Sequence, residues 1–419
     1  MLNDPFHYLQ GQLCCDHADL TAIATAHGTP CYVYSLDAIL TRYRAYETAL
    51  SGLDHQVCFA VKANSTLAIL HALATEGAGF DIVSGGELHR VLTAGGNPAK
   101  VVFSGVGKTS DEIRFGLEKG IHSFNCESES EIQLISEVAV ALHRRASVAL
   151  RVNPDVDAVT HPYISTGLKE HKFGVDIDEA ESIYARAAEL PHIDLNGVSC
   201  HIGSQLLDIE PLLEAAEKTL QLVSRLRERG LPISHLDLGG GLGVGYRPGD
   251  VAMPVSELIN RLRPKLEGLN LKLMLEPGRS IVAEAGVLLT RVLLVKKNGS
   301  KTFVIVDAAM NDLIRPALYQ AHHEILPLIE PLSDARMTAD IVGPVCESGD
   351  FFARSRDLPE LKPGDLLAVK TAGAYGFVLA SNYNSRPRAC ELLVNGGHVS
   401  IIRQRETYED LVRGESVGV

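Results

Sequence analysis

Several reactive side chains follow short apolar runs of the sequence, and Lys62 is the first of them. It lies in CFAVKAN (58–64), where four apolar residues precede the lysine and small residues follow it. A lysine ammonium group buried at a strand end needs an anionic partner, or its pKa falls until the neutral amine can attack a carbonyl. The alternative is a lysine that reaches solvent, since lysine is almost never fully buried unpaired.

Glu276 near the end of LKLMLEPG (271–278) has the chemistry to complement such a lysine. A carboxylate beside a pyridine nitrogen keeps that nitrogen protonated, so the ring can accept the electron pair of a breaking bond. An ion pair with Arg279, three positions further on, is the alternative interpretation.

The run HLDLGGGLGVGY (235–246) is the most glycine-dense segment. Consecutive glycines at 239–241 let backbone N–H groups approach an anion such as a phosphate, although a turn needed only for tight packing would look the same. The run does not complete G-x-G-x-x-G, and VFSGVGKT has Val102 where a phosphate loop needs its first glycine. An amine, an aromatic-faced pocket, a phosphate cradle and a carboxylate are together what pyridoxal 5'-phosphate (PLP) requires.

The elements that must position these residues alternate between short β-rich runs and longer helical patterns, at steps of roughly 20 to 40 residues typical of βα units. Eight parallel strands favour a closed (β/α)8 TIM barrel over a doubly wound open sheet. The eight β-rich runs are VCFAVKA (57–63), GFDIVS (79–84), KVVFSG (100–105), HSFNCES (122–128), SVALRVNP (147–154), NGVSCHIG (196–203), SHLDLGGG (234–241) and LKLMLEPG (271–278).

Polar residues close all eight runs, at the end of the strands where such a barrel places its active site. For Ser84 and Ser104, helix N-capping remains an open alternative. The strand-end residues are Lys62, Ser84, Ser104, Asn125, Glu127, Arg151, Asn153, His201, Ser204, the Gly239–Gly240–Gly241 turn, Glu276 and Arg279.

After about residue 283 the pattern changes to strand-like runs separated by turn signals such as KNGS, KPGD and NGGH. We predict a barrel over residues 38–282 and an all-β domain, sandwich-like or barrel-like, over 283–419. Residues 1–37 are expected to pair with the β domain or to lead into the barrel.

Composition excludes several classes of protein. The 419 residues are 46% hydrophobic and 22% charged, with a net charge of -13 and a pI near 5.7. No basic cluster suggests nucleic acid, no apolar run could cross a membrane, and the N-terminus does not resemble a signal peptide. Eight scattered cysteines without a CxxC pair suggest reduced thiols in the cytoplasm. His322 and His323 lack metal-ligand spacing and are interpreted as surface residues, so no metal is predicted.

The motifs of the chain resemble the diaminopimelate decarboxylase family. These are PLP enzymes of the fold type III class, a barrel plus a β domain, shared with alanine racemase and eukaryotic ornithine decarboxylase. The resemblance covers nearly the whole chain, in family order. It rests on CFAVKANS, FDIVSGGEL, VFSGVGKT, RVNPDVDAVTHPYISTG, HKFG, CHIGSQ, HLDLGGGLGV, EPGRSIVA, DAAMNDLIRPALY, GPVCESGDF and GAYGFVLASNYNSRPR.

The resemblance implies a set of cofactor-binding residues. Lys62 would bind PLP covalently, His201 would stack on its ring, Glu276 would face the pyridine nitrogen, and Tyr375 would close over the phosphate from the β domain. The remaining residues that would hold the cofactor and its phosphate are Ser204, Gly239, Gly240, Gly241, Pro277, Gly278 and Arg279.

The resemblance also implies a substrate site. Arg279, Arg315 and Tyr319 would bind the distal carboxylate of a small amino-acid substrate, with Tyr375 nearby, and Glu347 would pair with its distal ammonium. Cys346 would return a proton to the α-carbon. In this family Cys346 and Glu347 reach the active site of the other subunit, so the resemblance implies a homodimer with shared sites.

The implied reaction is decarboxylation of meso-2,6-diaminopimelate to L-lysine and CO2, the last step of lysine biosynthesis by that pathway. Arginine suits a planar carboxylate, and two arginines would repel the bare ammonium of ornithine. The alternative is a related decarboxylase acting on ornithine, arginine, a D-amino acid or carboxynorspermidine. Two further alternatives are disfavoured. A racemase of this class would have an arginine at the position of Glu276, and a non-catalytic PLP carrier would be a single barrel without a β domain.

Overall fold

The computed structural model describes residues 4–156 and 172–418. The second half of the motif RVNPDVDAVTHPYISTG, and the first residue of HKFG, lie outside these ranges. The chain divides into two compact units, which we call the β unit (Met1–Arg42, Gly245–Asp250 and Ile281–Val419) and the barrel unit (Tyr43–Val244 and Val251–Ser280).

The described ranges contain strands from both units. In chain order they are β1 (Phe6–Leu9), β2 (Gln12–Cys15), β3 (Ala18–Asp19), β4 (Cys31–Ser35), β5 (His55–Ala60), β6 (Gly79–Ile82), β7 (Val101–Phe103), β8 (Ser123–Cys126), β9 (Ala146–Asn153), β10 (Val175–Asp176), β11 (Ile193–Cys200), β12 (His235–Asp237), β13 (Lys272–Leu275), β14 (Gly286–Asn298), β15 (Lys301–Val306), β16 (Ile325–Pro327), β17 (Arg336–Val342), β18 (Phe351–Pro359), β19 (Leu366–Val369), β20 (Cys390–Asn395) and β21 (His398–Arg403).

The α-helices of the same ranges follow most barrel strands. They are α1 (Leu20–His27), α2 (Leu36–Leu50), α3 (Leu67–Thr75), α4 (Gly85–Thr93), α5 (Ser110–Lys119), α6 (Glu129–Ala141), α7 (Ile177–Ala187), α8 (Glu210–Glu228), α9 (Val255–Leu266), α10 (Arg279–Val282), α11 (Arg315–Tyr319) and α12 (Tyr408–Leu411).

The barrel unit is a closed cylinder of eight parallel strands in the order β9-β11-β12-β13-β5-β6-β7-β8. Pairing of β8 with β9, in which Phe124 faces Val148, closes the ring. The two-residue strand β10 adds to β9 outside the ring. Each predicted β-rich run overlaps one of these strands, so the predicted (β/α)8 barrel is confirmed.

The barrel strands form here because their sequences are short, apolar and buried on both faces. In β7 all three residues are buried, as is typical of parallel strands covered by helices. Side-chain caps start several of the helices that follow. Thr109 and Glu112 form a capping box on α5, and Ser128 caps α6.

The β unit contains a mixed sheet in the order β18-β17-β15-β14-β4-β20-β21, with β19 and β16 branching from β14. Strand β4, from the N-terminal part of the chain, lies between β14 and β20. A separate three-stranded sheet, β1-β2-β3, packs into the same apolar core. The separate β domain expected from the sequence is confirmed.

Residues 245–250 lie inside the range predicted for the barrel, yet they cluster with the β unit. The reason is Tyr246, whose ring packs against Arg315 and His323. In the part of the chain that the structure describes, no helix is both long and apolar enough to cross a bilayer.

Candidate active site

Lys62 lies in a short 3-10 turn, Val61–Ala63, directly after barrel strand β5. Its Nζ forms an ion pair and hydrogen bond with Oδ2 of Asp81 on the neighbouring strand β6. The Asp81 side chain is fully buried, whereas the Lys62 side chain remains 38% exposed. The lysine therefore has the anionic partner that its sequence context requires, and it also remains accessible from the barrel mouth.

Glu276 follows β13 and is buried in a network of polar side chains from other strands. Its Oε1 accepts hydrogen bonds from Ser104 Oγ and from Asn125 Nδ2, each at 3.2 Å. Asn125 Nδ2 also donates to Asp237 Oδ2 at 2.8 Å. The ends of strands β7, β8, β12 and β13 thus meet around one carboxyl group, as the barrel prediction required.

Two acids of this network perturb one another. Burial, with the nearby Asp237 and Asp81, raises the pKa of Glu276 well above its ordinary value, while Lys62 opposes that shift. Burial also raises the pKa of Asp237, against hydrogen bonds from Glu276, Gly239 and Asn125. Burial and mutual repulsion therefore disfavour ionisation of both carboxyl groups together, and a cation placed beside Glu276 would favour its ionised form.

The glycine turn after β12 is held tightly against its neighbours. Gly239 has a φ of +66°, and Gly241 a φ of +112°. A Cβ on Gly240 would lie 2.3 Å from the carbonyl oxygen of Glu276. Backbone geometry therefore requires glycine at positions 239 and 241, and close packing requires it at position 240. Because these constraints explain the glycines without a ligand, the predicted phosphate-binding role rests on the position of the turn at the barrel mouth.

His201, which follows β11, is a neutral imidazole. Its Nδ1 accepts a hydrogen bond from the Gly240 N–H at 3.2 Å, which leaves the ring proton on Nε2. Burial, with the positive charges of Arg151 and Lys62, lowers the pKa of His201 well below its usual range. Arg151 donates to the His201 carbonyl at 3.2 Å and pairs with Glu127 at 3.0 Å.

Arg279 begins α10 immediately after the Glu276–Pro277–Gly278 segment. Its Nη2 donates to Ser204 Oγ at 3.1 Å, which joins two of the predicted cofactor-binding residues. A Cβ on Gly278 would lie 2.9 Å from that of Ala63, so this segment packs directly beside the turn that carries Lys62.

The strand-end serines differ in what they do. Ser84 Oγ accepts the N–H of Glu87 at 3.2 Å and caps α4, whereas Ser104 Oγ donates to Glu276. Helix capping, which the sequence left open for both, holds for Ser84.

In the β unit, the predicted substrate residue Arg315 begins α11 and is buried. Its guanidinium lies 4.4 Å from the Tyr246 ring centroid, and its Nη1 lies 3.0 Å from His323 Nε2. His323 Nδ1 lies 2.8 Å from the Lys370 carbonyl, so Nδ1 carries the proton and Nε2 accepts from Arg315. The interpretation of His323 as a surface residue is wrong: the chain packs it fully inside the unit.

Cys346 and Glu347 lie on an exposed loop between β17 and β18. The buried Asp350 shapes this loop by accepting the N–H groups of Met310 and Val345, each at 2.7 Å. The Cys346 N–H donates to Asn384 Oδ1 at 3.0 Å. Both side chains therefore project to the surface of the single chain from an ordered backbone.

Tyr319 and Tyr375 are both half-buried in the β unit. Tyr319 ends α11, one helical turn after Arg315. Tyr375 has a φ of +53°, an uncommon conformation for a residue with a Cβ and one that concentrates at functional sites.

Sequence reasoning missed two acids, Asp81 and Asp237, which are fully buried at the barrel mouth. The signal was present in FDIVS and HLDLGGG, where a single aspartate interrupts an otherwise apolar strand. A buried carboxylate in such a strand needs a partner, and here the partners are Lys62 for Asp81 and Asn125 for Asp237.

Comparison with protein families shows that residues 36–283 match the model described as "Pyridoxal-dependent decarboxylase, pyridoxal binding domain". The fold and the mouth of the barrel thus define a pyridoxal-dependent decarboxylase. A diaminopimelate decarboxylase of Pseudomonas aeruginosa is 58% identical, over 99% of this chain and 99% of its own.

Two solved structures are similar over almost the full length. Diaminopimelate decarboxylase from Helicobacter pylori, complexed with L-lysine, has a TM-score of 0.90 at 44% identity and covers 94% of this chain and 98% of its own. The enzyme from M. jannaschii, in co-complex with L-lysine, has a TM-score of 0.93 at 40% identity and covers 100% and 99%. The chain belongs to the diaminopimelate decarboxylase family.

The residues at the barrel mouth fit PLP, the cofactor of this family. Buried polar atoms such as Asp81 Oδ1 and Asn125 Oδ1 have no hydrogen-bond partner within the described ranges. An accessible lysine, a neutral imidazole, a glycine turn and a buried carboxyl group lie in the same unit. Each matches one part of PLP: its aldehyde, ring face, phosphate and pyridine nitrogen.

Proposed function

We propose that this chain decarboxylates meso-2,6-diaminopimelate to L-lysine and CO2. The observation that carries the proposal is the joint position of Lys62 and Glu276 at the carboxyl ends of the first and last barrel strands. The names of the relatives, and the lysine bound in two of them, support this choice of substrate over ornithine or arginine.

The proposed cofactor roles follow from the chemistry of each side chain. Lys62 would form the covalent link to PLP, and Asp81 would hold its amine in place. The neutral ring of His201 would stack on the cofactor, and the Gly239–Gly241 turn with Ser204 and the Pro277–Arg279 segment would bind the phosphate. When bound, PLP accepts the electron pair released as the bond between the α-carbon and the carboxylate breaks.

Glu276 would hold a proton at the pyridine nitrogen. Ser104 and Asn125 donate to the same oxygen of Glu276, so they fix the direction of its carboxyl group. Because Asp237 and Asp81 add negative charge nearby, the network favours a cation at this position. This is the electrostatic condition that an electron-accepting ring requires.

The proposed substrate contacts are arginine, tyrosine and glutamate side chains. Arg315, Arg279 and Tyr319 would bind the distal carboxylate, with Tyr375 beside the phosphate and the substrate. The neutral His323 accepts from Arg315 and thereby orients the guanidinium. Glu347 would pair with the distal ammonium, and the two charges would select a distal carbon that carries both groups.

Cys346 would return a proton to the α-carbon after CO2 leaves. Cys346 and Glu347 are exposed on the single chain, which supports a homodimer in which each copy supplies these residues to its partner.

We also propose a cytoplasmic location, on the basis of eight unpaired cysteines. In domain terms, residues 38–282 would bind PLP, and the β domain would supply substrate and dimer contacts.

The test is to incubate purified protein with PLP and the meso substrate and to measure lysine and CO2, with ornithine and arginine in parallel assays. We expect release of CO2 from the meso substrate only. Equal or faster release from ornithine would overturn the proposed specificity while leaving the decarboxylase chemistry intact.

Arg315→Met sharpens the test of specificity. We expect kcat/KM for the meso substrate to fall about 100-fold, because a charged hydrogen-bonded contact contributes about 3 kcal/mol. Arg336→Met is the matched control, since Arg336 is an exposed arginine paired with Asp357 on a β-unit strand. Similar losses in both variants would argue against a specific carboxylate site at Arg315.

A further inference from the structure

Two of the buried cysteines lie side by side in the β-unit sheet. Cys31 is the first residue of β4 and Cys390 the first of β20, and the parallel register of these strands pairs the two directly. Directly paired residues on neighbouring strands point to the same face of a sheet. The two thiols are therefore neighbours, and each perturbs the pKa of the other.

The spacing of the backbone suits a covalent link. Paired strands lie about 4.7–4.9 Å apart, inside the range of about 4.4–6.8 Å that disulfides span between Cα atoms.

A cation lies next to one of the two sulfurs. Nη2 of Arg405 lies 3.5 Å from Cys390 Sγ and also donates to the backbone carbonyls of His27 and Gly28. The neighbouring Cys31 thiol, with the charge of Arg405, lowers the pKa of Cys390. The pKa of Cys31 is raised well above its usual value by the neighbouring Cys390 thiol and by burial.

The pair is therefore asymmetric. The thiolate, the reactive form of cysteine, is favoured at Cys390, whereas Cys31 favours its protonated form. The other buried cysteines of the β unit, Cys14 and Cys15, have raised pKa values, and burial is the main cause. Among the buried cysteines of the described ranges, only Cys390 has a lowered pKa, and it is the one that contacts a guanidinium.

We propose that Cys31 and Cys390 form a reversible redox pair, with Cys390 as the reactive thiolate and Cys31 as the resolving thiol. The oxidant we name is a small hydroperoxide such as hydrogen peroxide. The sulfur of Cys390 attacks one peroxide oxygen, the O–O bond breaks, and water leaves after protonation, so that Cys390 becomes a sulfenic acid.

Cys31 completes the reaction. Its sulfur loses a proton and attacks the Cys390 sulfur, an S–S bond forms, the S–O bond breaks, and the hydroxide leaves with that proton as a second water. Two thiols are oxidised and one peroxide is reduced to two waters. A dithiol reductant reverses the bond by thiol–disulfide exchange.

The test is peptide mapping of the full-length protein after brief treatment with hydrogen peroxide. Remaining thiols are alkylated before digestion, and the peptides are analysed by mass spectrometry with and without dithiothreitol. We expect a linked pair of peptides containing residues 31 and 390, two hydrogens lighter than the free peptides, that disappears on reduction. Oxidation of the exposed Cys346 alone, with Cys31 and Cys390 both alkylated, would overturn the proposal.

Variants test the order of events. In Cys31→Ala we expect Cys390 to accumulate as a sulfenic acid that dimedone captures, whereas Cys390→Ala should give no such adduct at Cys31. Cys15→Ala is the matched control, since Cys15 is equally buried in the same core and should leave the link intact. A dimedone adduct at Cys31 in Cys390→Ala would show that the assigned order is wrong.

Arg405 gives a second, independent measurement. Arg405→Gln should slow formation of the link roughly five- to ten-fold at pH 7, because the thiolate loses its cation. Arg405→Lys should restore the rate to within about two-fold of the parent, and circular dichroism checks that each variant is folded. An unchanged rate in a folded Arg405→Gln variant would show that Arg405 does not activate Cys390.

Discussion

The two ends of the barrel both bury ionisable side chains, but in opposite arrangements. At the carboxyl end, Glu276 and Asp237 are linked through Asn125. At the amino end, His122 precedes β8 and His235 begins β12, with their ring centroids 5.5 Å apart. Nε2 of each histidine has no hydrogen-bond partner among the residues that the structure describes.

The difference shows how burial alone, and burial within a hydrogen-bond network, affect the charge of ionisable side chains. At the amino end, burial, with His122 and Lys272 nearby, lowers the pKa of His235 to about 3, so this end holds a neutral histidine. At the carboxyl end, acids are held close together by shared donors beside a lysine. The first arrangement only fills the barrel floor, whereas the second provides charge for chemistry.

The largest expected effect on activity distinguishes the lysines at the two ends of the barrel, Lys62 and Lys272. Lys62→Ala should lower the rate of CO2 release by about four orders of magnitude, because the covalent attachment of PLP is lost. Lys272→Ala at the floor, where Lys272 donates to Gln56, should retain activity. The assays are CO2 release and the visible absorbance of the lysine-bound cofactor, and full activity in Lys62→Ala would contradict the site.

Glu276→Gln should act on turnover and not on cofactor retention. We expect kcat to fall about 100-fold, equivalent to about 3 kcal/mol, because an amide cannot keep the pyridine nitrogen protonated. Bound PLP, measured by absorbance after dialysis, should stay close to one per chain. Unchanged kcat in this variant would contradict the role of Glu276.

The floor histidine should control stability and not turnover. Because the unfolded chain protonates His235 near pH 6.5 and the folded chain only near pH 3, the unfolded state binds more protons between these values. The free energy of unfolding should therefore fall by about 1.4 kcal/mol per pH unit as the pH decreases through this window. His235→Leu should flatten that slope in urea titrations at pH 4–7 and leave kcat within about two-fold. An identical slope in the variant would show that other groups carry it.

The smallest expected effects distinguish the two strand-end serines. Ser84→Ala should cost about 1 kcal/mol of stability, because the cap of α4 is lost, with no change in kcat. Ser104→Ala should lower kcat a few-fold, because Glu276 loses one donor. Thermal unfolding and steady-state kinetics on both variants check this contrast, and the reverse pattern would contradict it.

The strands and the position of Lys62 could be predicted because their signals are local. Each barrel strand is a short apolar run, and a polar residue at its end lies at the mouth of any closed barrel. The same local signal could not separate Ser84 from Ser104. What distinguishes them is the side chain that each meets, Glu87 of the next helix for one and Glu276 for the other.

The residues that escaped prediction depend on contacts distant in sequence. Asp237 meets Asn125, 112 positions earlier in the chain. His323 is buried because Lys370, 47 positions later, and Arg315 enclose it. The adjacent positions of His322 and His323 argued against a pair of metal ligands but carried no information about burial. The surface interpretation of His323 was therefore wrong.

The carboxylate of Asp350 has a consequence for assembly. By holding the N–H groups of Met310 and Val345, it orders the loop of Cys346 and Glu347 when the single chain folds. Association with a second copy would then lose little conformational entropy in this loop. Asp350→Ala would loosen this loop in the free chain and should therefore weaken the proposed dimer, even though Asp350 itself is buried within the single chain.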